Sequence, residues 1–160
     1  MDYNTKSLEP LIRQALALVY SNDKHLIDTQ AHERSIVFRF GFYFQNLLLQ
    51  NNEYKDLHLD IEYNREWEDP KTRENGNRTY PDVVLHKRNT SNHNTLVLEF
   101  KGYWNKKGLE EDRKKIHEFI DPNGKHGYLE GYVILLQEDD FKLDKIFINN
   151  QQQSNQSNYK

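Results

Sequence analysis

The stretch TYPDVVLHKRNTSNHNTLVLEFKGY, residues 79–103, carries the strongest structural signal in the chain. Two apolar runs of strand length, 79–88 and 95–103, flank a polar segment, 89–94, that is typical of a turn. Because the connection is short, we expect the two strands to be hairpin neighbours. Both runs also carry charged residues, which are costly to bury without a partner.

The charged residues of the two strands define the first candidate site. Val97, Glu99 and Lys101 lie two residues apart, so their side chains project from one face of the strand. Asp82 opens the preceding apolar run, and a hairpin can bring it close to Glu99 at one end of the sheet. Two like charges at that distance repel each other unless a cation lies between them. The alternative interpretation of Glu99 and Lys101 is an edge strand with a solvated salt bridge.

A long helix predicted over residues 29–50 supplies a third acid. Thr29 is its predicted N-cap. Glu33 lies three residues before Ile36 and seven before Phe40, so it continues the apolar stripe that would pack on the sheet. An inward Glu33 would join the other two carboxylates. The alternative for Glu33 alone is a first-turn acid that complements the helix dipole.

The other elements follow from hydrophobic periodicity and turn residues. They are a helix over 5–20, a strand over 57–65, a loop or hairpin tip over 66–78, a helix over 109–120, a strand over 128–137, and an edge strand or helix over 141–149. This order predicts an α/β domain with a central mixed sheet of four or five strands flanked by helices.

Length and composition set the class of protein. The 160 residues suit one domain, predicted over 1–150, followed by a polar tail, 151–160, that we expect to be disordered. The chain has no cysteine, which excludes disulfides, thiolate metal sites and cysteine nucleophiles. We find no apolar run of membrane-spanning length and no signal-peptide pattern, so we expect a cytoplasmic protein without membrane association.

Charge is distributed unevenly along the chain. The net charge is −3, but residues 65–115 carry 12 Lys and Arg against 9 Asp and Glu. The central segment is therefore the candidate surface for a polyanion, although a charge run is usually a solvated face.

Three acids and a lysine favour a particular metal chemistry. Carboxylate oxygens without cysteine or paired histidines select a hard cation, Mg²⁺ or Mn²⁺. Such an ion polarises a phosphoryl oxygen and lowers the pKa of a bound water. A neighbouring lysine can hold or deprotonate that water, or neutralise developing charge.

The spacing of these residues resembles a known nuclease motif. Pro81-Asp82, followed seventeen residues after Asp82 by Glu99-Phe100-Lys101, is similar to the motif of the PD-(D/E)XK nuclease superfamily. Glu33 matches the acid that many members carry on their first core helix. The resemblance implies a restriction-endonuclease-like fold and metal-dependent hydrolysis of phosphodiester bonds, with DNA as the expected substrate.

The resemblance also implies a role for each site residue. Asp82 and Glu99 would bind Mg²⁺ or Mn²⁺ together with the Phe100 carbonyl, and Glu33 would complete the ligand shell. Lys101 would orient the attacking water.

Several further residues are candidates for contact with nucleic acid. The phosphate contacts would be Arg65, Lys71, Arg78, Lys106 and Lys107. Tyr103 and Trp104 directly follow the motif strand and would stack on unpaired bases, with packing at the rim of the core as the alternative. Since the chain leaves little room for a recognition domain, we expect weak intrinsic specificity, or a homodimer or partner protein that supplies it.

Two rival functions remain open from the sequence. One is a non-catalytic module on the same fold that binds nucleic acid or protein, because fold does not determine function. The other is a structural or oligomer-forming domain that uses the acids as surface ion pairs. The sequence also suggests that Asp112 contacts Lys101 or another residue of the site, with a boundary position on an amphipathic helix as the alternative.

Overall fold

A computed structural model describes residues 6–66, 69–90 and 92–146. The helices are α1 (Glu9–Asn22), α2 (Lys24–Asp28), α3 (Glu33–Leu49) and α4 (Leu109–Ile120), with a 3₁₀ turn at Asn52–Tyr54. The strands are β1 (His58–Ile61), β2 (Arg65–Glu66), β3 (Asp69–Pro70), β4 (Val83–His86), β5 (Asn94–Gly102), β6 (Glu130–Leu136) and β7 (Phe141–Ile146).

Five strands form one mixed sheet in the order β1-β4-β5-β6-β7. Strands β5 and β6 are parallel and are joined through α4, whereas the other neighbouring pairs are antiparallel. Strands β2 and β3 pair separately. The prediction of an α/β domain with a mixed sheet flanked by helices is confirmed, and β4 and β5 are the hairpin neighbours expected from their short connection.

Helices cover both faces of the sheet because side chains alternate along each strand. Leu96, Leu98 and Phe100 of β5 join the core formed with α1 and α3, and Val97 joins the second core under α4. Gly131 of β6 lets α4 lie close to the sheet, since a Cβ there would be 2.6 Å from Ile116. This close approach sets the height of α4 above the charged residues of β5.

The long helix begins later than the sequence predicts. The prediction of one helix over 29–50 with Thr29 as N-cap is wrong, because Gln30 adopts a left-handed conformation (φ 52°) that interrupts helical geometry. Thr29 instead ends α2, its amide bonding back to the His25 carbonyl. The N-cap of α3 is His32, whose side chain accepts a hydrogen bond from the Arg34 amide.

The remaining elements largely match the predictions. Helix α4 has the predicted bounds, and the predicted strand over 57–65 shortens to β1 because Glu62 has a positive φ of 51°. The ambiguous segment 141–149 is a strand where it is described, as β7. The predicted disordered tail, 151–160, lies outside the described residues.

Candidate functional site

The register of the β4–β5 hairpin places two acids beside each other. Val83 pairs with Leu98 in the antiparallel ladder, so one further step sets Asp82 opposite Glu99. Residues opposite each other in antiparallel strands project from the same face, with Cβ atoms about 4.5–5.5 Å apart. Here that face is the one covered by α4, because Val84 and Val97 belong to its core. The structure therefore brings Asp82 and Glu99 together at the end of the sheet.

Asp82 is held by the backbone of the neighbouring strand. Its Oδ2 accepts a hydrogen bond of 2.7 Å from the Phe100 amide. Burial nevertheless raises the pKa of Asp82 to about 6, against the lowering effect of the Phe100 amide and Lys115. The carboxylates of Asp112 and Glu33 add to the increase. The Phe100 amide and Lys115 therefore do not compensate for the burial of Asp82 and for the two neighbouring carboxylates.

Glu99 is more deeply buried, with 4% of its surface exposed. Burial raises its pKa strongly, and the negative charge of Asp82 raises it further. The Lys115 ammonium lies 2.7 Å from Glu99 Oε1. This ammonium acts to lower the pKa of Glu99 and so opposes both effects.

Lys101 projects from the same face of β5 as Glu99, two residues further along. Its Nζ lies 2.8 Å from Asp112 Oδ2 and 3.4 Å from the Lys107 carbonyl oxygen. Burial acts to lower the pKa of Lys101, but Asp112 outweighs burial, so that the pKa is raised and the ammonium stays charged. The predicted contact between Asp112 and Lys101 is confirmed.

Glu33 reaches the site from the opposite layer. As the first residue of α3 it accepts a hydrogen bond of 2.8 Å from the Gly102 amide and a longer one, 3.5 Å, from the Asn105 side chain. Glu33 thus ties the start of α3 to the end of β5. Its charge acts on both Asp82 and Lys101, which places it in their electrostatic neighbourhood.

Lys115 is the residue of this site that the sequence reasoning missed. On a helix, Asp112 and Lys115 lie three residues apart and share a face with the buried Ile116. That face packs on the sheet, so Asp112 meets Lys101 and Lys115 meets Glu99. The helical period places Lys115 on the inward side of α4, but the strand that it meets there is set by packing between layers, and Glu111, four residues before it, is a simpler local partner. In the structure Glu111 contacts Arg73.

The donor set of the site fits a hard divalent cation in part. Asp82, Glu99 and the Phe100 carbonyl offer only oxygen, as Mg²⁺ and Mn²⁺ prefer, and burial raises the pKa of both acids. Within the described ranges, however, no group of three or more His, Cys, Asp or Glu side chains is arranged to hold a metal ion. The structure brings Asp82 and Glu99 together, whereas the Glu33 carboxylate accepts a hydrogen bond from the Gly102 amide.

The candidate phosphate contacts divide into exposed and buried residues. Arg65, Arg78, Lys106 and Lys107 are exposed. Lys71 is only 3% exposed, and its Nζ donates to the Tyr128 hydroxyl at 2.7 Å. The rings of Tyr63, Phe119 and Tyr128 lie 4.9–5.9 Å from that ammonium. The expectation that Lys71 faces a phosphate is not met in this conformation, because aromatic rings surround it.

The two aromatic residues after β5 pack on the protein itself. Tyr103 and Trp104 are half-buried against the core of α1 and α3, and their rings meet edge to face at 5.0 Å. Trp104 also covers Gly102, where a Cβ would lie 2.5 Å from the indole ring. Packing at the rim, the alternative to base stacking, is what the structure shows for these side chains.

Comparisons add no relative from which a role could be transferred. Among the described residues, no helix is long and apolar enough to cross a membrane. No protein-family model, no curated protein and no solved structure matches the chain.

Proposed function

We propose that this chain is a metal-dependent nuclease of restriction-endonuclease-like fold that hydrolyses the phosphodiester bonds of DNA. The observation that carries the proposal is the position of Asp82 opposite Glu99 at the ends of neighbouring strands. The two residues are seventeen positions apart in the chain, and both are acids whose pKa is raised. Two acids placed together repel each other and cost the fold stability, and a cation bound between them would remove that repulsion.

The arrangement of elements supports the resemblance to the PD-(D/E)XK superfamily. A helix that begins with Glu33, a strand preceded by Asp82 and a strand that contains Glu99 and Lys101 occur in the chain order of the motif. The two strands are neighbours in one sheet, and Glu33 bonds to the end of the second strand. Residues from three separate elements therefore lie at one end of β5.

The proposed roles follow from these positions. Asp82, Glu99 and the Phe100 carbonyl would hold Mg²⁺ or Mn²⁺, and Glu33 would complete the shell. When bound, such an ion polarises a phosphoryl oxygen and lowers the pKa of a coordinated water. Lys101 would orient the attacking water and balance charge that develops on the phosphate, with Asp112 holding the ammonium in place.

A basic loop next to the site is the proposed approach for the DNA backbone. Lys106 and Lys107 are exposed in the segment between β5 and α4. The Lys107 carbonyl oxygen lies 3.4 Å from the Lys101 ammonium, so this loop borders the proposed site. Phosphate contacts from such residues would position the substrate without reading its sequence.

Cleavage of a panel of nucleic acids tests the proposal. Supercoiled, linear and single-stranded DNA, and RNA, would each be incubated with the protein and Mn²⁺. We expect cleavage of DNA that is lost in Lys101→Ala and in excess EDTA but kept in Lys114→Ala, which changes an exposed lysine on the outer side of α4. If none of the four substrates is cut, the proposal is contradicted.

One observation favours a second candidate, a non-catalytic binding module on the same fold. Both charged residues of β5 already have a partner of opposite charge on α4, Lys115 for Glu99 and Asp112 for Lys101. With these two ion pairs in place, Glu99 and Lys101 need no metal ion to compensate their charges. The module predicts that Mn²⁺ does not bind, whereas the nuclease predicts binding that Asp82→Asn or Glu99→Gln abolishes.

A further inference from the structure

Lys115 joins the two strands of the proposed site to the helix above them. Its ammonium lies 2.7 Å from Glu99 Oε1 and donates to the Tyr80 carbonyl at 2.9 Å. Tyr80 lies two residues before Asp82, at the entry to β4. A single side chain of α4 therefore holds one acid of the pair and the backbone next to the other.

The surroundings make Lys115 an internal counter-ion. The side chains of Lys115 and Glu99 are 15% and 5% exposed, so solvent screens their interaction little. A carboxylate buried this deeply is costly unless a cation compensates it. Lys115 acts on Asp82 as well as on Glu99, opposing the rise of both pKa values.

The contact is made by charge rather than by an aligned hydrogen bond. The described residues offer Glu99 Oε1 no hydrogen bond of good geometry, although the Lys115 nitrogen is within 2.7 Å. The lysine ammonium is a point charge on a flexible four-carbon stem. It can therefore move away from Glu99 while it keeps its hydrogen bond to the Tyr80 carbonyl.

We propose that Lys115 occupies the cation position of this site in the metal-free protein and competes with a divalent metal ion for Glu99. The inference rests on the proposed function, because it concerns the same metal site. Loading the site then requires the ammonium to withdraw from Glu99 toward Tyr80. Lys115 thereby limits how much metal the site holds. In the metal-free protein the same ammonium compensates the charge of Glu99.

Mn²⁺ binding measured by titration calorimetry tests the competition. The proteins are the wild type, Lys115→Met and, as the matched control, Lys114→Met, whose lysine is the exposed neighbour on α4. Methionine keeps the length of the stem and removes the charge. We expect Lys115→Met to bind Mn²⁺ at least about tenfold more tightly than wild type, because a divalent ion no longer faces an ammonium. Lys114→Met should stay within about twofold.

The outcomes separate this inference from the proposed function. Wild-type binding that depends on Asp82, with equal or weaker binding by folded Lys115→Met, overturns the inference and leaves the metal site intact. Binding by Lys115→Met alone supports competition for Glu99 but contradicts the proposed function, because the wild-type protein then holds no metal ion. Absence of binding by both proteins overturns both proposals.

A second variant covers the case in which Lys115→Met does not fold. Lys115→Gln also removes the charge but can still donate a hydrogen bond to Glu99, and the same tighter binding is expected. Glu99→Gln combined with Lys115→Met should bind no Mn²⁺. Binding by that double variant equal to that of Lys115→Met would show that the metal is held elsewhere and would overturn the inference.

Discussion

At the two ends of β4, the pKa of a buried carboxylate is shifted in opposite directions. At the His86 end, Asp60 of β1 receives hydrogen bonds of 2.9 Å from both His86 and Arg88. Burial acts to raise the pKa of Asp60, but these partners outweigh it and lower the pKa well below its usual value. At the other end, Asp82 lies opposite Glu99, and its pKa is raised to about 6.

The difference separates a structural acid from a candidate functional one. Asp60 has the partners that stabilise its charged form, so its burial is explained by the fold alone. Asp82 and Glu99 share one lysine and repel each other, so their charged forms are incompletely compensated. Acids whose environment disfavours their charge are more typical of functional sites.

The largest effect is expected from Lys101. Lys101→Met should reduce Mn²⁺-dependent DNA cleavage by about 10²–10⁴-fold, the range for loss of a group that transfers or positions a proton. Binding of Mn²⁺ should change little, since Lys101 pairs with Asp112 rather than with Asp82 or Glu99. Single-turnover cleavage rates together with calorimetry measure both quantities. A variant that still cuts DNA at the wild-type rate contradicts the role of Lys101.

Metal affinity should distinguish the two ends of β4 directly. Asp82→Asn should weaken Mn²⁺ binding by at least about 100-fold, because it removes a ligand charge. Asp60→Asn, the matched acid at the other end, should leave the affinity unchanged. Equal losses in both variants, measured by calorimetry at pH 7, would mean that the comparison does not identify a metal site.

The same two substitutions should affect the stability of the fold in the reverse order, with the larger loss in Asp60→Asn. Asp60→Asn should lower the free energy of unfolding by about 2 kcal/mol at pH 7, because it removes a carboxylate that accepts charge-assisted hydrogen bonds. The lowered pKa means that Asp60 stabilises the fold above its unfolded pKa of 3.8 and loses this effect as pH falls through the folded value. The difference in urea unfolding between wild type and variant should therefore be constant well above pH 3.8 and narrow as pH falls below 3.8. A difference that does not narrow in acid would contradict the pairing.

The smallest effect is expected for the stability of Asp82→Asn. The amide oxygen can still accept the hydrogen bond from Phe100, and the repulsion with Glu99 disappears. In EDTA at pH 7 the free energy of unfolding should stay within about 1 kcal/mol of wild type or rise. A loss as large as that of Asp60→Asn would place Asp82 among the structural acids.

Local patterns predicted the parts of the fold that local interactions determine. The bounds of α4 follow from its amphipathic period and the turn residues after it, and the β4–β5 pairing follows from a short connection. The start of α3 was missed because the left-handed conformation of Gln30, which lies between α2 and α3, leaves no signature in a polar segment. Periodicity finds faces of elements more reliably than it finds their ends.

The site was predictable to the extent that it lies on one hairpin. Asp82 and Glu99 could be placed together from spacing, and Glu33 from its position on an apolar stripe. Lys115 depends on which face of α4 lies above which strand, and this is decided by packing between layers. The burial of Lys71 likewise requires rings from separate segments, among them Tyr63 and Tyr128, which no local pattern connects.

Anomalous diffraction from crystals soaked in Mn²⁺ would show most directly whether the two acids at the end of β4 and β5 share a cation. The account predicts a peak within about 2.0–2.6 Å of carboxylate oxygens of both Asp82 and Glu99, with the Lys115 ammonium withdrawn from Glu99. A fully soaked crystal without a peak there, and with Lys115 still in contact with Glu99, would contradict it.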